Sequence, residues 1–193
     1  MMRRNLYEIK DRVLGGKRLV LDPLQLSNLA LIPREHAKVY AGRIVKKGFA
    51  HKLTKGVISF TEDTFIIASQ LKEPSYISFM GALYLQRIIQ QIPAIVECVT
   101  PRNSLKLERL KIEYHKVRPA LFFGYERVER YGGYVFVARP AKAVMDLVYF
   151  GLYPGEMKFD LDEVELAYMV RAYRKSKDYR AKRVVEWVEN DAR

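Results

Sequence analysis

Apolar positions change period several times in the first sixty residues, and each change marks an element. Leu6, Ile9, Val13 and Leu14 recur at helical spacing within residues 3–14, and Gly15-Gly16 stops the helix they predict. After a short extended piece, Lys17 to Leu21, comes Asp22-Pro23, an acidic N-cap followed by proline at the first helical position. The second helix would carry Leu24, Leu26, Leu29 and Ala30. Ile32-Pro33 punctuates the chain again. From Pro33 to about Lys47, Ala37, Tyr40, Ala41, Ile44 and Val45 fall at i, i+3, i+4, i+7 and i+8, a third helix that Gly48 closes. Two β-prone runs, Phe49–Leu53 and Val57–Phe60, flank Thr54-Lys55-Gly56 and predict a hairpin. Three short helices followed by a small hairpin is the order of a winged helix-turn-helix, with the short gap between second and third helices that the motif requires.

From residue 61 helical and strand periods mix. Thr61–Leu71 reads as a helix, Ser78 as the cap of another reaching Ile88, and Ala94–Val99 and Lys111–Val117 as strands. Tyr125–Val128 and Tyr134–Val137 flank Gly132-Gly133, a second hairpin. Pro140 opens a helix with Ala141, Val144, Leu147 and Val148 on one face, and two more follow at about Leu161–Tyr173 and Tyr179–Glu189. The expected fold class is α+β. It comprises a winged helix-turn-helix over 1–60, a mixed α+β domain over 61–150 and a C-terminal helical extension over 151–193 packed on it.

Charge sharpens this picture. The net charge is +12, and residues 1–60 hold 13 Lys and Arg against 4 Asp and Glu, whereas residues 151–193 balance nine against nine. A local positive field of that size suits a polyanion. The third helix concentrates it, with Arg34, Lys38, Arg43, Lys46 and Lys47 opposite its apolar face. In a helix-turn-helix the N-terminal end of that helix enters the major groove, and here it offers Arg34, Glu35, His36 and Lys38. Arg34 suits the guanine edge, which accepts two hydrogen bonds from one guanidinium. Lys46, Lys47, Lys52 and Lys55 suit phosphates, with Thr54 and Lys55 at the wing tip. A charged stripe is often only a solvated face; this one is almost all one sign and is followed by a basic hairpin.

Other chemistries find less support. No apolar run approaches the roughly 20 residues of a membrane span, and Glu8, Lys10 and Asp11 stand where a signal peptide has its apolar core, so a soluble cytoplasmic protein is expected. The single cysteine, Cys98, excludes an internal disulfide and reads as a buried strand residue; with His36, His51 and His115 widely spaced, no metal or other cofactor is expected. A metal-dependent nuclease built on Glu97, Glu113, Lys116 and Asp146 is the enzymatic alternative, but no tight carboxylate-x-Lys spacing supports it. His115 with Ser78 or Ser104 lacks a nucleophile-elbow sequence. The expectation is therefore a non-enzyme. Tyr76, Tyr84, Tyr114, Tyr125, Tyr131 and Tyr134 admit a third reading, a protein-interaction surface in the rear domain.

An ordered set of segments adds a resemblance. It runs Pro74-Ser75-Tyr76-Ile77-Ser78, Ala82-Leu83-Tyr84, Gln91-Ile92-Pro93, Val99-Thr100-Pro101-Arg102, Phe123-Gly124-Tyr125 and Ala138-Arg139-Pro140-Ala141-Lys142-Ala143, followed by Asp146-Leu147. Over roughly residues 20–150 the chain resembles the AbiEi family, the antitoxin and transcriptional regulator of abortive-infection systems. It departs from that pattern at Gln86-Arg87, where the family often has His-Gly, and at Ala141, where it often has Glu. The resemblance implies a repressor that binds double-stranded DNA at its own promoter. It also implies a functional partner, a nucleotidyltransferase-like toxin countered without a stable complex. Homodimerisation would fall to the rear domain. The alternative within this reading is an antitoxin that acts by protein interaction and binds DNA only non-specifically.

Overall fold

Local caps start the first two helices, the second where the sequence places it. Asn5 accepts the Tyr7 N–H at 3.0 Å and opens α1, Leu6–Gly15. Asp22 and Gln25 form a reciprocal capping box that opens α2, Pro23–Ala30. Leu31, in the left-handed region at φ 54°, ends α2 and turns the chain into α3, Arg34–Lys46. Pro33 stands just before α3 as its cap position, without a side-chain cap bond. The computed structural model describes residues 5–153 and 159–190; the expected start of the first helix at residue 3 lies outside them.

Within the first unit, residues 1–73 and 128–135, helices α1, α2 and α3 pack on one another through Ile9, Val13, Leu26, Ala30, Ala37 and Ile44, all fully buried. Three strands, β1 (Val20–Leu21), β2 (His51–Thr54) and β3 (Val57–Ser59), form an antiparallel sheet in the order β1-β3-β2. Gly56, at φ 81°, makes the β2–β3 turn, and the register shifts between Lys52 and Thr54. Helix α4, Thr64–Leu71, is capped by Asp63, which accepts the Ile66 N–H at 2.9 Å.

A buried amide on α4 ties this unit together. Gln70 accepts the N–H groups of Leu19 and Val20 at 2.7 and 3.1 Å. Its own NH2 donates to the carbonyls of Lys17 and Tyr134 at 3.2 and 3.0 Å. Tyr134 comes from a late hairpin whose tip belongs to this unit, as do Arg130, paired with Asp63 at 2.9 Å, and Gly133. A Cβ on Gly133 would lie 3.1–3.2 Å from methyls of Leu19 and Ile66, so only glycine fits that approach comfortably.

The second unit, residues 74–127 and 136–193, is built on a six-stranded sheet. The sheet's strands are β4 (Tyr76–Ile77), β5 (Val96–Thr100), β6 (Leu105–Leu107), β7 (Ile112–Lys116), β8 (Tyr125–Arg130) and β9 (Gly133–Ala138), in the order β6-β7-β5-β4-β9-β8, and the 128–135 portion of β8 and β9 is counted with the first unit. Two pairings, β5 with β7 and β4 with β9, are parallel. Helices α5 (Phe79–Leu85), α6 (Pro140–Phe150), α7 (Glu163–Lys175) and α8 (Tyr179–Asn190) close one core with Tyr76, Val99 and Val137. Cys98 is buried in β5. No helix among the described residues is long and apolar enough to cross a membrane.

The fold is thus mixed α+β, as expected from the chain, with local differences. Helix α5 ends at Leu85 rather than Ile88. Ser78 occupies its cap position, but the hydroxyl does not cap; it donates to Asp146 at 2.7 Å, because a buried carboxylate is the stronger acceptor. Strands β4 and β6, of two and three residues, carry too little alternation to be read from sequence.

Asp178, just before α8, couples the stability of the second unit to acid. It accepts the Tyr149 hydroxyl at 2.6 Å and the Arg180 N–H at 3.1 Å, and pairs with Arg118 at 3.2 Å. Burial pushes its carboxyl up, but the Tyr149 and Arg180 bonds and the neighbouring Arg charges outweigh that and hold it below the ordinary aspartate range. A depressed folded pKa stabilises the fold above the unfolded value of about 3.9, and that stability is lost as pH falls through the folded value. Asp178→Asn should therefore flatten the fall in urea midpoint below about pH 4. An unchanged acid limb in the variant would exclude Asp178 as its source.

Candidate nucleic-acid interface

Helix α3 turns about 100° per residue, so its buried stripe of Ala37, Tyr40 and Ile44 fixes where every other side chain points. The outward face carries Glu35, Lys38, Val39, Gly42 and Lys46, all exposed, with Arg34 exposed in the first turn. Glu35 and Arg34 stand at the N-terminal end, where the helix dipole favours the carboxylate. His36 is half-buried.

The predicted basic stripe splits in two. Arg43 lies with its guanidinium 5.6 Å from the Tyr40 ring centroid, and the Lys47 ammonium lies 6.0 Å from that of Tyr7 on α1. Tyr7 in turn meets Phe49 edge-on at 5.0 Å, and Lys10 sits over Phe49 at 5.0 Å. Arg43 and Lys47 thus turn toward aromatic rings, whose faces attract cations, while Lys38 and Lys46 stay on the outward face.

Beside that face runs a groove of about 280 Å³ between α3 and the β2–β3 hairpin. Ala41, Gly42 and Val45 line one side and Gly56, Val57 and Ile58 the other, with Pro23 between; Lys38 and Lys52 line it from opposite elements. Lys52 and Lys55 are exposed, and Thr54 is half-buried. The floor is apolar and the flanking groups cationic. Such a notch can hold an apolar edge, such as a thymine methyl, beside a phosphate chain.

Compared with known proteins, the chain matches no protein-family model and no curated sequence.

Gly42 stands inside α3, and a glycine within a helix is itself a signal. It costs about 0.5–1 kcal/mol relative to alanine, and a Cβ placed there meets nothing within 4 Å. Gly42→Ala should raise the thermal midpoint of the first unit while narrowing the groove. A stabilised variant that binds DNA more weakly would show that the notch is used; equal binding would show that it is not.

The residues weighed for chemistry lie in other arrangements. Glu97 accepts from His115 at 2.9 Å, next to Glu113 across β5 and β7. Ser104 accepts the Lys116 N–H at 3.0 Å. Ser78 and Asp146 belong to a fully buried cluster in the second unit. There the Lys142 ammonium pairs with Asp146 and donates to Tyr173 at 3.0 Å, and Asp146 also accepts from Tyr76 at 3.1 Å. Tyr76, Phe123 and Tyr173 rings surround the ammonium at 5.4–5.6 Å. Burial pushes Lys142 down, against the pull of Asp146, and pushes the Tyr76 and Tyr173 hydroxyls well up. The sequence showed Lys142 and Asp146 one helical turn apart; nothing in their spacing announced that both would be buried. Among the described residues, no group of three or more His, Cys, Asp or Glu is placed to hold a metal ion.

Proposed function

We propose that the chain is a sequence-specific DNA-binding regulator whose first unit is a winged helix-turn-helix. The observation that carries this reading is the outward face of α3 beside the β2–β3 hairpin, with Lys38 and Lys52 on opposite sides of one groove. The element order α1-β1-α2-α3-β2-β3 and the three-residue turn between α2 and α3 support it. In this reading Arg34, Glu35 and Lys38 meet base edges in the major groove, and Lys46, Lys52 and Lys55 hold phosphates. Lys47 lies against Tyr7 of α1, and Arg43 against Tyr40 on α3 itself. The regulator would repress its own promoter in the cytoplasm, and the AbiEi-like segments of the second unit favour an antitoxin role opposite a nucleotidyltransferase-like toxin.

The test is binding of the purified full chain to its own upstream DNA against scrambled DNA of equal length, across salt concentrations. A preference of about a thousandfold or more at physiological salt is expected of a specific regulator. Equal, steeply salt-dependent binding to both would reduce the head to an electrostatic patch.

A further inference from the structure

We infer that the end of the six-stranded sheet formed by the edge strand β6, its neighbour β7 and the turns around them is a second phosphate-binding surface, which extends the DNA-binding reading and rests on it. The second unit holds 19 Lys and Arg against 14 Asp and Glu, and the fold gathers cations at one edge of its sheet. Between residues 102 and 118 stand six Lys and Arg against two Glu. Arg102, Lys106, Arg109, Lys111, Lys116 and Arg118 are all exposed. Two are balanced: Lys106 by Glu108 at 3.5 Å and by Glu113 directly across the ladder, and Arg118 by Asp178.

The other four fall into two pairs at opposite ends of β7. Thr100 is in register with Lys116 and accepts the Arg102 N–H at 3.2 Å, which brings Arg102 to the Lys116 end. Ser104 joins them, since its hydroxyl accepts the Lys116 N–H and keeps its own proton to donate. At the other end Arg109 lies in the 3-10 turn Glu108–Leu110, and Lys111 follows it in the left-handed region at φ 53°. Five residues of strand separate the two ends by about 16 Å. Two cationic ends spaced this way match discrete phosphates better than a continuous charged sheet of lipid. Arg, Lys and Ser are the side chains that nucleic-acid backbones attract.

The experiment uses the full chain and a random-sequence DNA duplex, so that no operator need be known, with affinity measured by anisotropy over a salt series. The edge variant is Arg102→Gln, Arg109→Gln, Lys111→Asn and Lys116→Gln; Asn tolerates the left-handed backbone at 111. Circular dichroism and Trp187 fluorescence check that it is folded. Each lost phosphate contact lowers the slope of log affinity against log salt by about 0.9, so loss of two to four contacts lowers it by about 1.8–3.6. A slope reduced by less than one contact overturns the inference. If the variant keeps its DNA slope but no longer sediments with phosphatidylserine vesicles, the surface belongs to a membrane and the inference also falls.

A head variant, Lys38→Gln, Lys46→Gln, Lys52→Gln and Lys55→Gln, separates the two readings. A reduced slope in the head variant alone removes the edge and leaves the head. A reduced slope in the edge variant alone leaves the edge and removes the head. Unchanged slopes in both remove both.

Discussion

Lys142→Met is expected to destabilise the second unit by about 3–5 kcal/mol, because it leaves the Asp146 carboxylate buried without its counter-charge. At roughly 2 kcal/mol per molar urea, the midpoint should fall by roughly 2 M. Trp187, the single tryptophan of the chain, lies in the core of that unit, so its fluorescence follows this unfolding. The cause can be isolated by a second substitution. Lys142→Met with Asp146→Asn removes both charges, yet Asn still offers an oxygen to the Tyr76 and Ser78 hydroxyls that Asp146 accepts from. The double variant should therefore recover most of the loss. If the single variant shifts by less than about 0.5 M, or the double variant is worse than the single, the charged pair is not what holds this region together.

The second large effect concerns DNA. Arg34→Ala should cost about 1–3 kcal/mol on the specific site and relax preference at one base position. Lys38→Gln should weaken the specific site, while Lys52→Gln should weaken binding to all DNA and reduce the salt slope by about 0.9. The controls are Arg43→Gln and Lys47→Gln. Their charges rest against Tyr40 and Tyr7, so they should lower stability by about 0.5–1 kcal/mol and leave DNA affinity nearly unchanged. Full affinity in Arg34→Ala, or a loss in Lys47→Gln as large as in Lys38→Gln, would place the wrong face of α3 against the groove.

Residue types and periods carried the first unit far. The capping box at Asp22 and the 3.6-residue period of α3 are local, and local signals survive in sequence. The basic stripe on α3 was legible as a stripe but not as two groups, because one of the rings that divide it, Tyr7, is brought from α1. Gln70 and Lys142 were opaque for the same reason. A glutamine or lysine in an apolar stretch is read as a surface position until its partners are known, and Tyr134 lies 64 residues from Gln70. The sheet edge was hidden by averaging, since Arg102 and Lys116 become neighbours only when β5 and β7 pair.

The hairpin tip has a bearing on biosynthesis. Residues 128–135 complete the first unit by supplying the Tyr134 carbonyl to Gln70 and Arg130 to Asp63. As the chain emerges from the ribosome at about 5–20 residues per second, residues 1–73 wait several seconds for that last piece. During the wait the Gln70 amide lacks one acceptor and Asp63 its Arg. The usual order, in which an N-terminal domain finishes folding before the rest is made, is closed to this chain. Under the proposed function, a nascent head would engage DNA in its final form only after the tip has been translated, which would delay repression until most of the molecule exists.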